Sequence, residues 1–128
     1  MVGRAGGGAV SIQHQMNELF IEWDQVTRQY KNELVAAATA EADHKRDKAQ
    51  FIVKARATDP KLSAAQAEME ADADDAISES YLERLGSAAL AEATKHRLFM
   101  LRARADALRS EKVDERESNK LYAENPAQ

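Results

Sequence analysis

Thr58-Asp59-Pro60-Lys61-Leu62-Ser63-Ala64-Ala65-Gln66 stops one helix and starts another. Pro60 disfavours helical geometry at Asp59. Ser63 is a strong N-cap residue, and Gln66 three positions on completes a Ser-x-x-Gln capping box. Acids crowd the turns that follow (Glu68, Glu70, Asp72, Asp74, Asp75), where they suit the positive end of a helix dipole. Working outward, helix breakers are scarce. The five glycines are Gly3, Gly6, Gly7, Gly8 and Gly86, and the two prolines are Pro60 and Pro126. Ala, Glu, Lys, Arg, Gln and Leu fill most of the rest, residues that favour or tolerate a helix. The spacing therefore predicts an all-α chain in the form of a long antiparallel helical hairpin or coiled coil. One helix begins near Val10 or Ser11, the turn lies at 58–63, and the second run reaches about Leu121. A three-helix bundle broken at Gly86 is the alternative, but an interior glycine costs only about 1 kcal/mol, so a continuous second helix is preferred. The organisation expected is a flexible tail at 1–10, one helical-hairpin domain at 11–122 and a flexible tail at 123–128.

Two apolar seams support this reading. Ile12, Met16, Leu19, Trp23, Val26 and Tyr30 alternate spacings of four and three, the 3.5-residue period of a coiled coil. Leu98, Leu101, Ala105 and Leu108 repeat it in the second half. Ile77, Tyr81, Leu85 and Ala88 extend an apolar face upstream. Folding the chain back at Pro60 sets Lys48 near Asp74, Lys54 near Glu68 and Trp23 near Phe99, and brings Leu19 and Phe20 towards Leu101. The basic run around Lys45, Arg46 and Lys48 then lies beside the acidic stretch. Exposed ion pairs add little stability but can select a register.

Composition narrows the possibilities. Aromatic residues make up 5% of the chain, and much of its 44% hydrophobic content is alanine. That suits narrow helix seams better than a wide globular core. A lone pair of helices with alanine seams buries little apolar surface. A homodimer is therefore expected, with Met16, Leu19, Phe20, Trp23 and Phe99 as the core or partner face of a four-helix arrangement. The charged fraction of 31% mixes signs, which fits solvated helix faces rather than disorder. The net charge of -4 is unevenly spread. The segment from Asp59 to Glu83 is strongly acidic, and that from Arg84 to Lys120 is net basic. Cysteine is absent, which excludes disulfides and thiolate metal ligands and is compatible with a cytoplasmic location. No apolar run approaches the ~20 residues that span a bilayer, so no membrane role is expected. The stretch before Ser11 lacks the apolar centre of a signal peptide.

Candidate chemistry is sparse. Glu41 and His44 have the Glu-x-x-His spacing of di-iron bundles, but the second motif is missing; surface polar residues on a charged helix account for them better. Asp72, Asp74 and Asp75 lack the turn glycine of a calcium loop, and a capped acidic helix start explains them. No phosphate loop, cysteine nucleophile or serine elbow occurs. The expectation is a non-catalytic protein with no cofactor, no metal and no small-molecule substrate. The sharper feature is a basic row in which Lys95, Arg102, Arg109 and Arg116 recur every seven residues. They share one flank of the Leu98–Leu108 seam at intervals of about 10 Å. Such a row can follow a nucleic-acid backbone. The commoner role of such flanking positions is to pair with acids across a helix interface or to meet a protein, and Asp106, Glu111, Asp114, Glu115 and Glu117 dilute the row. Phe99 is expected in the core, which leaves no stacking platform for bases.

The segment Arg102-Ala-Arg-Ala-Asp-Ala-Leu-Arg-Ser110, followed by a charged helix, resembles the C-terminal signature of small helical proteins of bacteriophages and prophages. Arg102, Asp106, Leu108, Arg109 and Ser110 match that pattern. The charged stretch from Glu41 to Ala49 and the Tyr-Leu-Glu-Arg-Leu run at Tyr81 to Leu85 are similar in kind, so the resemblance covers about residues 30 to 120. Such proteins are often encoded near recombination or replication genes. The resemblance implies a non-catalytic accessory role in DNA metabolism, in the host cytoplasm, and transfers no catalytic residue. The expected function is therefore binding of a protein partner, with nucleic acid contacted through the basic row. A structural or regulatory adaptor that uses the Met16–Trp23 face without touching DNA is the second reading.

Overall fold

A computed structural model describes residues 11–124. The tail expected at 1–10 lies outside the described residues. So does the C-terminal tail, except that residues 123 and 124 are still helical. The described chain is all-α, with three helices and no strand. Helix α1 spans Ile12–Thr58, α2 spans Ala64–Ala73 and α3 spans Asp75–Glu124.

The junctions follow from local chemistry. Ser11 opens α1, its hydroxyl accepting the His14 amide at 3.1 Å. At the other end, the Asp59 carboxylate accepts the Lys61 amide and its carbonyl accepts the Leu62 amide, so the chain turns over Pro60. The capping box then forms in full. The Ser63 hydroxyl accepts from the Gln66 amide, and the Gln66 side chain accepts from the Ser63 amide. This satisfies donors that a bare helix start would leave orphaned.

The second run does not break where its glycine suggested. Helix α3 passes unbroken through Gly86, and the interruption falls at Asp74. There the backbone is extended (φ -73°, ψ 134°). The Asp74 amide donates to Ala71 O, closing α2, while its carboxylate accepts the Ile77 amide at 3.2 Å, opening α3. Ser78 adds a hydroxyl bond to Asp72 O. Short polar side chains compete for backbone groups in this way, whereas an interior glycine loses only entropy. Local hydrogen bonding thus outweighs glycine's flexibility.

The chain divides into two compact units. Among the described residues one comprises 11–28 with 95–124, the other Gln29–Thr94. In the first, α1 and α3 run antiparallel around Met16, Leu19, Val26, Leu101, Ala105 and Leu108, with Ile12, Trp23 and Leu98 packed against them. These are the seam positions of both heptad patterns, and Leu19 meets the Leu101 cluster as the register predicted. Two expected members are missing. Phe99 is 55% exposed and Phe20 41% exposed. Neither stands on a seam position: each is offset by one residue from a core neighbour, Leu19 or Leu98, and points off the interface.

In the second unit the buried apolar residues are Ala67, Ala71, Ile77 and Ala91. Tyr81 and Leu85, expected on the apolar face beside Ile77, are exposed. Ion pairs fix the register here. Lys48 reaches Glu68 at 3.2 Å and Asp72 at 2.9 Å, and Arg84 reaches Glu41 at 3.2 Å. The basic and acidic stretches do meet, displaced by a few residues from the predicted pairing. Glu68 is taken by Lys48 rather than Lys54.

Candidate nucleic-acid interface

Lys95, Arg102, Arg109 and Arg116 all lie on α3 within the first unit. With a and d naming the seam positions of each heptad, all four occupy position e. In an antiparallel pair, e positions of one helix border e positions of the other, and g borders g. The g flank behaves as an ordinary interface edge, for Arg97 bonds Glu22 across the helices at 2.9 Å. The e flank is different. Its α1 positions are Gln13, Phe20 and Thr27, so Arg109, Arg102 and Lys95 face no acid on the opposing edge, and Arg116 lies past the start of α1 at Ile12.

What holds these cations is local and weak. Arg109 touches Asp106 one turn away at 3.3 Å, with both side chains mostly in solvent. Arg102 and Arg116 are exposed and form no ion pair among the described residues. Lys95 places its ammonium 5.9 Å from the Phe99 ring centre, a cation–π contact. Asp24, the nearest acid outboard on α1, is already paired with Arg28 at 2.9 Å. The expected pairing of the basic row across helices is therefore not what this flank displays.

The aromatic residues complete the surface. Phe99 lies four residues after Lys95 and three before Arg102, which places it between them on the helix face. The Arg97–Glu22 pair and the Lys112–Gln13 bond mark the register, and they place Phe20 across from the neighbourhood of Arg102. Phe20 also lies 6.4 Å from Trp23, and Phe99 6.3 Å edge-on from His96. Two exposed rings thus bracket one unpaired arginine. Assigning Phe99 to the core concealed this platform. Its offset from the Leu98–Leu101 seam was the available signal.

Of the residues expected to form a partner or dimer face, Met16 and Leu19 are buried inside the unit and Trp23 packs against its core. Only Phe20 and Phe99 keep free faces.

The second unit holds a cleft of about 620 Å³, lined in part by His44, Lys48, Asp72, Ser78, Tyr81 and Arg84. It lies beside the Asp74 interruption. His44, read from sequence as a surface residue, is only 6% exposed. Its Nδ1 lies 2.8 Å from Ser80 Oγ, and its ring packs 5.4 Å from that of Tyr81. Ser80 donates its hydroxyl proton to Ile77 O at 3.0 Å. The direction of the His44–Ser80 bond follows the imidazole tautomer. The cleft's charges are also occupied. Lys48 is held by Asp72 and Glu68, whose hydrogen bonds raise its pKa above the ordinary 10.5. Glu41 is held by Lys45 and Arg84, the Lys45 bond first, which lowers its pKa below the ordinary 4.5. No group of three or more metal-ligating side chains occurs among the described residues, and Glu41 turns to the cations rather than joining His44.

No protein-family model, curated protein or solved structure matches this chain. No helix among the described residues is long and apolar enough to cross a membrane.

Proposed function

We propose that this is a non-catalytic accessory protein of phage DNA recombination or replication, which binds a protein partner and contacts nucleic acid along the basic flank of α3. One observation carries the nucleic-acid part. In the row Lys95, Arg102, Arg109 and Arg116, the first three face Thr27, Phe20 and Gln13 on the opposing helix edge, without a neutralising carboxylate there. Surface cations in a line that no facing acid neutralises are available to release counterions from a phosphate backbone, which is where non-specific nucleic-acid affinity originates. The phage context rests on the resemblance of the Arg102–Ser110 segment alone.

Fluorescence anisotropy with labelled single- and double-stranded DNA, at low and at near-physiological salt, tests the reading. Binding that weakens with salt and is lost in Arg102→Ala/Arg109→Ala supports it. Absence of binding at both salt concentrations contradicts it.

The second unit favours a protein partner as well. Leu34, Val35, Leu82, Leu85 and Leu90 are all exposed, more large apolar side chains than an isolated helix pair needs. A second copy of the chain is the simplest occupant, and sedimentation equilibrium tests it. A monomer at micromolar concentration argues against the dimer.

A further inference from the structure

The flank that carries the basic row has a geometry that discriminates between kinds of nucleic acid. From Lys95 to Arg116 the cations rise along one helix at about 10 Å per heptad, roughly 30 Å in all. An unstacked single strand is not held to a helical path and can lay its backbone along a straight cationic track with its base faces exposed. Site sizes of roughly 4–16 nucleotides are usual for such grooves. A duplex cannot use the row equally well. Its phosphates wind around the axis once in about 34 Å, so a nearly straight line of cations crosses the groove rather than tracking a strand. A duplex also offers no base faces to exposed rings.

The rings are the second, independent observation. Phe99 stands between Lys95 and Arg102 on α3, with the Lys95 ammonium 5.9 Å from its ring centre, and Phe20 lies across from Arg102 on α1; both side chains are exposed. Large exposed aromatic side chains beside a cationic track are the two ingredients of sequence-tolerant single-strand binding. Each base has a π-face that a phenyl ring can cover, and the cations hold the backbone in place meanwhile.

We propose that this flank binds unstacked single-stranded nucleic acid, with phosphates along Lys95, Arg102, Arg109 and Arg116 and bases stacked on Phe20 and Phe99. The inference rests on the nucleic-acid reading above and adds the class of ligand.

The experiment titrates the full chain with fluorescein-labelled (dT)10, (rU)10, an abasic strand of equal length and a 20-base-pair duplex. Wild type is compared with Phe99→Leu, Phe20→Leu and Arg102→Gln. Leucine keeps apolar bulk without the π-face, and far-UV circular dichroism checks that helix content is unchanged. Expected are tighter binding of (dT)10 than of duplex, about a fivefold or greater loss for each leucine variant on (dT)10, and no loss for those variants on the abasic strand. Arg102→Gln weakens every strand. The (rU)10 arm decides whether the 2′-hydroxyl is tolerated: equal binding assigns the site to single strands generally, and preference for (dT)10 assigns it to DNA. Duplex binding as tight as (dT)10, with the leucine variants unaffected, overturns the single-strand inference and leaves the electrostatic reading standing. No binding to any of the four probes overturns both.

Discussion

The two units solve the same packing problem with different side chains. In residues 11–28 and 95–124 the seam is leucine, valine and methionine with one alanine, and a single ion pair, Arg97–Glu22, crosses its edge. In residues 29–94 the buried apolar residues are three alanines and one isoleucine, with a histidine among them, and ion pairs set the register. A seam of large apolar residues supplies its own register through shape and burial. A seam of alanines does not, so charge must supply it. The lesson is about where charge remains available. Lys48 and Arg84 of the second unit are engaged in structure, whereas Arg102 and Arg116 on the e flank of the first are left to solvent.

Substitutions should separate the two seams. Leu101→Ala, in the leucine seam, is expected to lower stability by about 2–5 kcal/mol, read from urea unfolding. A loss below about 1 kcal/mol would mean that this seam is not what holds the unit. His44→Ala in the alanine seam removes the Ser80 bond and the Tyr81 contact, at an expected cost of about 1–3 kcal/mol. Hydrogen exchange should report the loss in the second unit only. Ser63→Ala removes the capping box at the start of α2, with an expected cost of about 1 kcal/mol in the same assay. An unchanged midpoint there would show that α2 is held by Ala67 and Ala71 alone.

The smallest effect is electrostatic and its sign is defined. Glu41 has a lowered pKa because Lys45 and Arg84 favour its charged form. Its contribution is complete above the ordinary value of 4.5 and disappears as pH falls through the lowered folded value. Lys48 has a raised pKa, so its contribution is complete below 10.5 and disappears as pH rises through the folded value. Both groups are at the surface, so each effect is small. Glu41→Gln should flatten the acid limb of the stability curve and leave the alkaline limb untouched. An unaltered acid limb would place the acid sensitivity elsewhere.

Much of the fold was legible because its signals were local. Pro60, Ser63 and Gln66 are enough to place the turn and the cap, and the alternating spacings from Ile12 to Val26 and from Leu98 to Leu108 are enough to place the seam. The interruption at Asp74 was harder to read. It depends on one carboxylate choosing the Ile77 amide over solvent, while Gly86 carried the more familiar breaker signal. The basic row was also legible, as a seven-residue repeat. Its freedom from acids was not, because that depends on which edge of α1 lies opposite. Once the register is known, Gln13, Phe20 and Thr27 can be read off directly. Phe99 and His44 were misplaced in opposite directions for the same reason. Hydrophobicity suggested a core position for the first and polarity a surface position for the second, and the packing partners decided otherwise.

The central claim is that the e-flank cations of α3 meet phosphates. The most direct test is the slope of log K against log salt for a single-stranded oligonucleotide. Each phosphate contact on a single strand contributes about -0.7, so four cations predict a slope near -3, falling in magnitude by about 1.4 in Arg102→Gln/Arg109→Gln. A slope near zero, or one that the double variant leaves unchanged, would contradict the account.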